Sequence, residues 1–148
     1  MIENNGGLVI GRIMNGIVID HINPGNAMKI YEYLGLDKLD CTLAIIKNAS
    51  SKLKGKKDII KLECDPELIN FEVLGFLDSE ITVNIIKDGN IIDKHKLTLP
   101  EVVVNIVRCK NPRCISSIEQ ELTQEFYLAD RKKISYRCRY CDSQYKKD

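Results

Sequence analysis

GIVIDHINPGNAMKIYEYLG, residues 16–35, decides the fold of the longer part of this chain. Residues 17–22 are dominated by β-branched side chains, as a strand would be. Asn23-Pro24 then supplies a cap and a first-turn proline, and Ala27, Ile30, Tyr31 and Leu34 recur at helical spacing until Gly35 ends the pattern. A strand leading into an amphipathic helix is the first half of a βαβ unit, and the order returns downstream. Residues 41–47 and 57–63 read as strands separated by a polar, lysine-rich loop at 48–56. Asp65-Pro66 opens a second helix reaching about residue 76, and residues 81–87 and 91–97 form a hairpin around Asp88-Gly89-Asn90. Upstream, residues 8–13 read as a strand turned onto 17–22 by Asn15-Gly16, a dipeptide suited to tight turns. The sum is an α+β fold, β-α-β-β-α-β with a hairpin at each end. That is the split βαβ, ferredoxin-like arrangement, with both helices expected on one face of the sheet.

The remainder of the chain is of a different kind. Leu99-Pro100-Glu101 interrupts the strand pattern, which places a boundary near residue 100 and divides the chain into domains at 1–100 and 101–148. So short a second domain cannot be stable by packing alone and needs a staple. Four of the six cysteines lie in it, as Cys109-x4-Cys114 and Cys138-x2-Cys141, with 23 residues between the pairs. Two short-spaced pairs are the layout of two knuckles that donate four thiolates to one tetrahedral zinc ion. Disulfides and an iron–sulfur cluster are the competing readings of the same cysteines. Four protein ligands would leave no open position on zinc, so the ion is expected to be structural and the domain small and mostly β. Cys41 and Cys64 lie in or beside strands and read as small buried hydrophobes.

Composition narrows the function. With 44% hydrophobic and 29% charged residues among 148, the chain is that of a soluble globular protein, and no run approaches the length of a membrane span. The N-terminus lacks the basic start and apolar run of a signal peptide, so a cytoplasmic protein without a membrane partner is expected. A net charge of +1 gives no reason to expect a nucleic acid partner. Residues 1–100 carry 12 Lys+Arg against 14 Asp+Glu, and residues 101–148 carry 10 against 7, a mild basic excess on the cysteine-rich side. That excess sustains one rival reading, a zinc ribbon that grips phosphates through Arg131, Lys132, Lys133, Arg137 and Arg139 and stacks a base on Tyr136 or Tyr140. A small metalloenzyme is a third, opposed by the closed four-thiolate set. Neither a nucleophile with its base, nor a carboxylate pair, nor a phosphate-binding glycine loop stands out. The two histidines, His21 and His95, sit singly in strands.

Several of these segments converge on a family. The run Gly16 to Ile22, residues 55–63, Thr82-Val83-Asn84 with Lys94, Leu99-Pro100-Glu101 and Cys109-Lys110-Asn111-Pro112-Arg113-Cys114-Ile115 together resemble the regulatory chain of aspartate carbamoyltransferase. The resemblance spans nearly the whole chain, in order. It implies a non-catalytic subunit of pyrimidine biosynthesis whose N-terminal allosteric domain binds ATP or CTP, sometimes with UTP as a second pyrimidine. It also implies a C-terminal zinc domain that docks on the catalytic chain, and self-association of regulatory chains into a dimer. Carried over by position, Asp20, His21, Lys61, Asn84, Ile91 and Lys94 match nucleotide-site positions, with Ile10, Ile13, Val18, Lys57 and Ile59 lining the base and ribose pocket. Gly11-Arg12 and Gly89 depart from the family pattern near the base. Lysines from separate strands suit a polyanionic triphosphate, and Asp20 suits ribose hydroxyls.

Overall fold

The structure is a computed structural model that describes residues 3–5, 8–10, 13–52 and 55–146. It divides into two compact units, residues 1–97 and 98–148.

The first unit is built on a five-stranded antiparallel sheet in which β3 (Gly16–Ile22) is the central strand. On one side lie β5 (Gly55–Glu63) and then β4 (Thr42–Ser51), and on the other β6 (Thr82–Lys87) and then β7 (Asn90–Lys96). The order β4-β5-β3-β6-β7 is that of the split βαβ arrangement with one strand added, because β5 is inserted between β3 and β4, the two strands that α1 (Ala27–Tyr33) connects. Alternation along the strands turns Ile17, Ile19, Ile60, Leu62 and Val83 to one face, and these pack with Ala27 and Ile30 of α1 and Leu74 of α2 (Glu72–Leu77) in a single buried cluster. Both helices therefore cover the same face, as the pattern predicts.

Local detail departs from the sequence reading in four places. Of the strand expected at 8–13, the described residues do not pair with β3: β2 (Leu8–Ile10) is antiparallel to β1 (Glu3–Asn5), and both edges of β3 are taken by β5 and β6. Asn15-Gly16 makes no hairpin. Asn15 Oδ1 instead accepts from the Asp88 amide and Met14 O from the Gly89 amide, so this segment latches the β6–β7 turn. Gly16 is required by crowding, since a Cβ there would stand 1.9 Å from Leu62 O. The second correction concerns the loop expected at 48–56. Residues 48–51 extend β4 and residues 55 and 56 begin β5, so at Lys56 the polar composition marks an exposed strand end rather than a break. Third, the expected helix from Asp65 to about residue 76 is two pieces. A 3-10 turn at Pro66–Leu68, capped by Asp65 accepting from the Glu67 amide at 3.0 Å, is separated from α2 by extended backbone at Ile69, whose side chain is buried.

The fourth correction is the cap of α1. Asn23-Pro24 does not open the helix, and the residue before it, Asn26, makes no capping hydrogen bond through its side chain. The free amides at this end are met by Asp58, a fully buried carboxylate on β5. Its Oδ2 accepts from Gly25 at 3.0 Å and Ala27 at 3.3 Å, and its Oδ1 accepts from Asn48 at 3.0 Å, where β4 bulges at φ 57. Asp78 adds a second anchor, accepting from the Asn23 amide at 2.9 Å. The β6–β7 turn follows expectation, with Asp88 at φ 51 and Gly89 at φ 78 as a two-residue turn of this hand demands.

The second unit is a three-stranded antiparallel sheet, order β10-β9-β8, made of β8 (Val102–Val104), β9 (Glu125–Asp130) and β10 (Ser135–Cys138), with the short helix α3 (Ile115–Ile118). Its buried apolar residues are few: Val103, Val107, Phe126 and Tyr136, besides Cys114 and Cys138. Among the described residues, no helix is long and apolar enough to cross a membrane.

Asp58→Ala should destabilise the first unit by about 1–3 kcal/mol or more, since the buried Ala27 amide left unpaired costs about that much and the part-buried Gly25 and Asn48 amides lose their partner too. Asp58→Asn, which keeps one carbonyl acceptor, should cost less. Denaturant unfolding of the variants checks the order; equal stability of Asp58→Ala and the wild type would remove the carboxylate from this role.

Candidate functional site

Four thiols meet in the second unit. Cys109 follows β8, Cys114 is the residue from which α3 starts, Cys138 ends β10, and Cys141 lies in the turn beyond it. The Cys109 and Cys141 sulfurs are 3.6 Å apart, those of Cys114 and Cys138 3.7 Å, and all four lie within 4.8 Å of one another. A tetrahedron with metal–sulfur bonds of about 2.3 Å has edges of about 3.8 Å, so the set fits one thiolate-bound ion.

The surroundings hold these sulfurs in place. Ser116, fully buried, sets its hydroxyl 2.9 Å from Cys114 Sγ and 4.0 Å from Cys138 Sγ. The Cys109 amide donates to Gln124 Oε1 at 3.1 Å, and Gln124 Nε2 donates to Ser116 O at 2.8 Å, which ties the two residues of the first knuckle to the start of β9. Ser117 Oγ donates to Cys109 O at 3.2 Å and to Asn111 O at 2.7 Å. Protons are held unequally when no cation is present. Burial pushes the Cys109 thiol up to about 12. The Ser143 hydroxyl, outweighing burial, brings Cys141 down to about 6. Burial opposes ionisation of Cys114, but the hydroxyl and amide of Ser116 prevail and lower it. Binding of a soft cation ionises the whole set and must release the remaining protons.

The first unit offers a second feature on its helix-free face. Register places Ala44 beside Lys61, Lys61 beside Val18, Val18 beside Asn84, and Asn84 beside Lys94, one continuous row across all five strands. Lys61 and Asn84 are buried, and Asn84 Oδ1 is a buried acceptor with no hydrogen-bond partner among the described atoms. Next to the row, Asp20 pairs with Lys57 Nζ at 2.9 Å. His21 stands at φ 59 where the β3–β5 register shifts, and this kink brings its Nδ1 to 2.9 Å from Thr82 Oγ1, the hydroxyl of Asp20's partner on β6. Ile59 is buried in a small cluster with Ile46, Ala49 and Val18. Ile13 is buried just before β3, while Ile91 is exposed on β7 opposite Ile86. The side chain of Ile10, with Gly11 and Arg12, lies outside the described residues.

Comparison with known proteins joins the two features. The family model for the aspartate carbamoyltransferase regulatory chain, allosteric domain, matches residues 8–98, and that for the metal binding domain of the same chain matches residues 101–148. This chain belongs to the aspartate carbamoyltransferase regulatory chain family. Similar proteins include regulatory chains of Clostridium botulinum (strain Hall), 51% identical over 93% of this chain and 94% of the relative, and of Clostridium tetani, 49% over 94% and 96%. The regulatory chain of Bifidobacterium longum is 43% identical over 90% of this chain and 96% of its own length. As a regulatory chain of this family the protein is the non-catalytic subunit, with an allosteric and a metal-binding domain.

Five residues of the rival nucleic acid surface make contacts within this unit. Tyr136 is buried with its hydroxyl donating to Pro100 O at 2.6 Å, and the Tyr140 hydroxyl donates to Thr123 O at 2.8 Å. Arg131 pairs with Glu101, Arg137 Nη1 donates to Asp142 O at 2.7 Å, and the Arg139 guanidinium lies 5.5 Å from the Tyr127 ring centre. Sequence reasoning missed Ser116, Ser143, Gln124 and Thr82. The serines were findable: Cys114-x-Ser116 and Cys141-x-Ser143 repeat one spacing, and in each the hydroxyl serves the cysteine two residues before it. Gln124 and Thr82 act through tertiary contacts that carry no local pattern.

Cys138→Ala should abolish metal binding and unfold residues 98–148, while residues 1–97, which own an independent core, remain folded. Affinity for the metal should fall as pH falls, because every bound thiolate must first lose a proton and Cys109 holds its own to about 12. Metal analysis together with hydrogen exchange of the two halves reads both effects. Loss of protection throughout the chain would contradict the independence of the halves.

Proposed function

We propose that residues 1–100 bind nucleoside triphosphate effectors on the helix-free face of the sheet, and that residues 101–148 hold one structural Zn2+ and dock on the catalytic chain of aspartate carbamoyltransferase. ATP and CTP are the ligands, with UTP as a second pyrimidine, and two regulatory chains associate as a dimer in the cytoplasm. The row Lys61, Val18, Asn84, Lys94 carries this reading, with the unpaired Asn84 Oδ1 within it. A buried acceptor without a partner costs free energy until a donor arrives, and a ligand amino or hydroxyl group is one source of such a donor.

Roles follow from chemistry. Lys61 and Lys94 supply ammonium donors to phosphate oxygens from two different strands. Lys57 neutralises Asp20, whose Oδ1 also accepts from the His21 amide at 2.6 Å and whose carboxylate is an acceptor for ribose hydroxyls. Val18, Ile59, Ile13, Ile10 and Ile91 provide apolar surface for base and ribose, and His21 adds one hydrogen bond at a site fixed by Thr82. Four thiolates fill the coordination sphere of zinc and leave no position for a substrate, which suits a structural ion. The zinc unit exposes Val102, Val104, Ile115, Ile118, Ile134 and Tyr140, apolar area of the sort that a partner chain covers. No nucleic acid and no membrane is among the partners.

Coupling then runs from ligand to partner chain. A nucleotide shifts the holoenzyme only through different affinities for its two states, and the shift is reciprocal, so catalytic-site ligands must change nucleotide affinity by the same factor.

Lys94→Ala should weaken ATP and CTP together, because an ammonium aimed at phosphates does not distinguish bases. His21→Ala should cost only about 0.5–1.5 kcal/mol, the worth of one neutral hydrogen bond. Calorimetry measures both; unchanged affinity of Lys94→Ala for the two nucleotides would remove it from the site. Co-purification with the catalytic chain, with and without zinc, tests the docking half. A complex that survives verified zinc loss would move the docking surface to the other unit.

A further inference from the structure

Two cysteines stand apart from the metal centre. The β4–β5 ladder pairs Ile45 with Ile60, Ala44 with Lys61, Leu43 with Leu62 and Thr42 with Glu63, and the next step of the same register sets Cys41 opposite Cys64. Directly opposed residues on antiparallel strands bring their α-carbons to about 4.5–5.5 Å, inside the range that a disulfide spans. Burial and then the neighbouring Cys41 thiol raise the Cys64 thiol, as two thiols facing one another across the ladder would. Both are half-buried and pack against the main core cluster, so they occupy fixed positions and yet remain open to a small reagent.

We propose that Cys41 and Cys64 are a covalent modification site, a cross-strand dithiol that closes to a disulfide when it meets a low-molecular-weight disulfide oxidant. The proposal is independent of the nucleotide reading. In the first step one protein thiolate attacks a sulfur of the oxidant, forming a mixed disulfide and expelling one small thiolate. In the second, the neighbouring protein thiolate attacks the protein sulfur of that mixed disulfide and expels the second. Two protein thiols are oxidised, one small disulfide is reduced, and the two protons end on the two small thiols. Burial, with the adjacent Cys41 second, pushes the Cys64 thiol up to about 11, which makes it the slow partner. Closure ties β4 to β5, the strand that carries Lys57, Ile59 and Lys61, and fixes a loop in the unfolded chain.

The test uses the zinc-loaded full chain and glutathione disulfide. The chain has six cysteines, four of them in the metal cluster, so two thiols should be titratable before oxidation and none after, with the zinc content unchanged. Proteolysis should release one cross-linked fragment containing Cys41 and Cys64, and the unfolding midpoint of the first unit should move upward. The rate should increase with pH. Cys41→Ser and Cys64→Ser should each accumulate a stable glutathione adduct on the remaining cysteine and show no upward shift. Adducts without a cross-link in the wild type, or a cross-link that forms only after zinc is lost, would overturn the proposal.

Discussion

A single buried carboxylate organises the larger half of this protein. Asp58 comes from the strand beside the central one, and it receives amides from the bulge of β4 and from the start of α1. A charge of this kind is tolerable in an apolar interior only because hydrogen bonds to the charged form replace the water it has lost. Those bonds dictate more than local comfort. They set where β4 must kink, where α1 may begin, and hence how the helix lies across Ile17, Ile19, Ile60 and Leu62. With α1 held on that side, the opposite side of the sheet carries the polar row, in which Lys61 and Asn84 are buried and Lys94 is exposed. The arrangement of the candidate ligand face thus depends on an acid on the other side of the sheet.

The smaller half solves the same problem by different means. With so few buried apolar side chains, it cannot balance the entropy of ordering its chain by packing. Four thiolates around one cation supply what the core lacks, and the buried hydroxyl of Ser116 and amide of Gln124 supply the orientation. Stability is therefore tied to the ion in this unit, and under the proposed docking role whatever removes the ion removes the surface with it.

Much of this was legible in the residues. The strands around residues 17–22, 57–63, 81–87 and 91–97, the Asp88-Gly89 turn and the two cysteine pairs are local patterns, and each is found near where it was read. What escaped was settled over distance. The β-branched run before Asn15 looks like a partner for β3, but only the full sheet reveals that β3 has no free edge. Asn23-Pro24 looks like a helix start, yet the carboxylate that meets the amides lies more than thirty residues away at Asp58. Residues 48–51 and Lys56 look like a loop because exposed strand ends and loops share a composition. At the candidate ligand face the family resemblance named the residues, and no pattern internal to the sequence would have aligned Lys61, Val18, Asn84 and Lys94 into one row.

That row has a length. Lys61 and Lys94 are separated by three strand-to-strand steps, and at about 4.8 Å for each step their backbones stand about 14 Å apart. The sheet also twists by about 20–25° at every step, so the two side chains leave their strands along directions that diverge by about 60–75°. A small anion such as inorganic phosphate can satisfy one ammonium or the other, whereas only an extended molecule that keeps its negative charge at a distance from its remaining polar groups can engage the whole row. If the proposed ligand binds there, the face selects for its dimensions as well as its charge, and does so with backbone spacing, the least deformable scale a protein possesses.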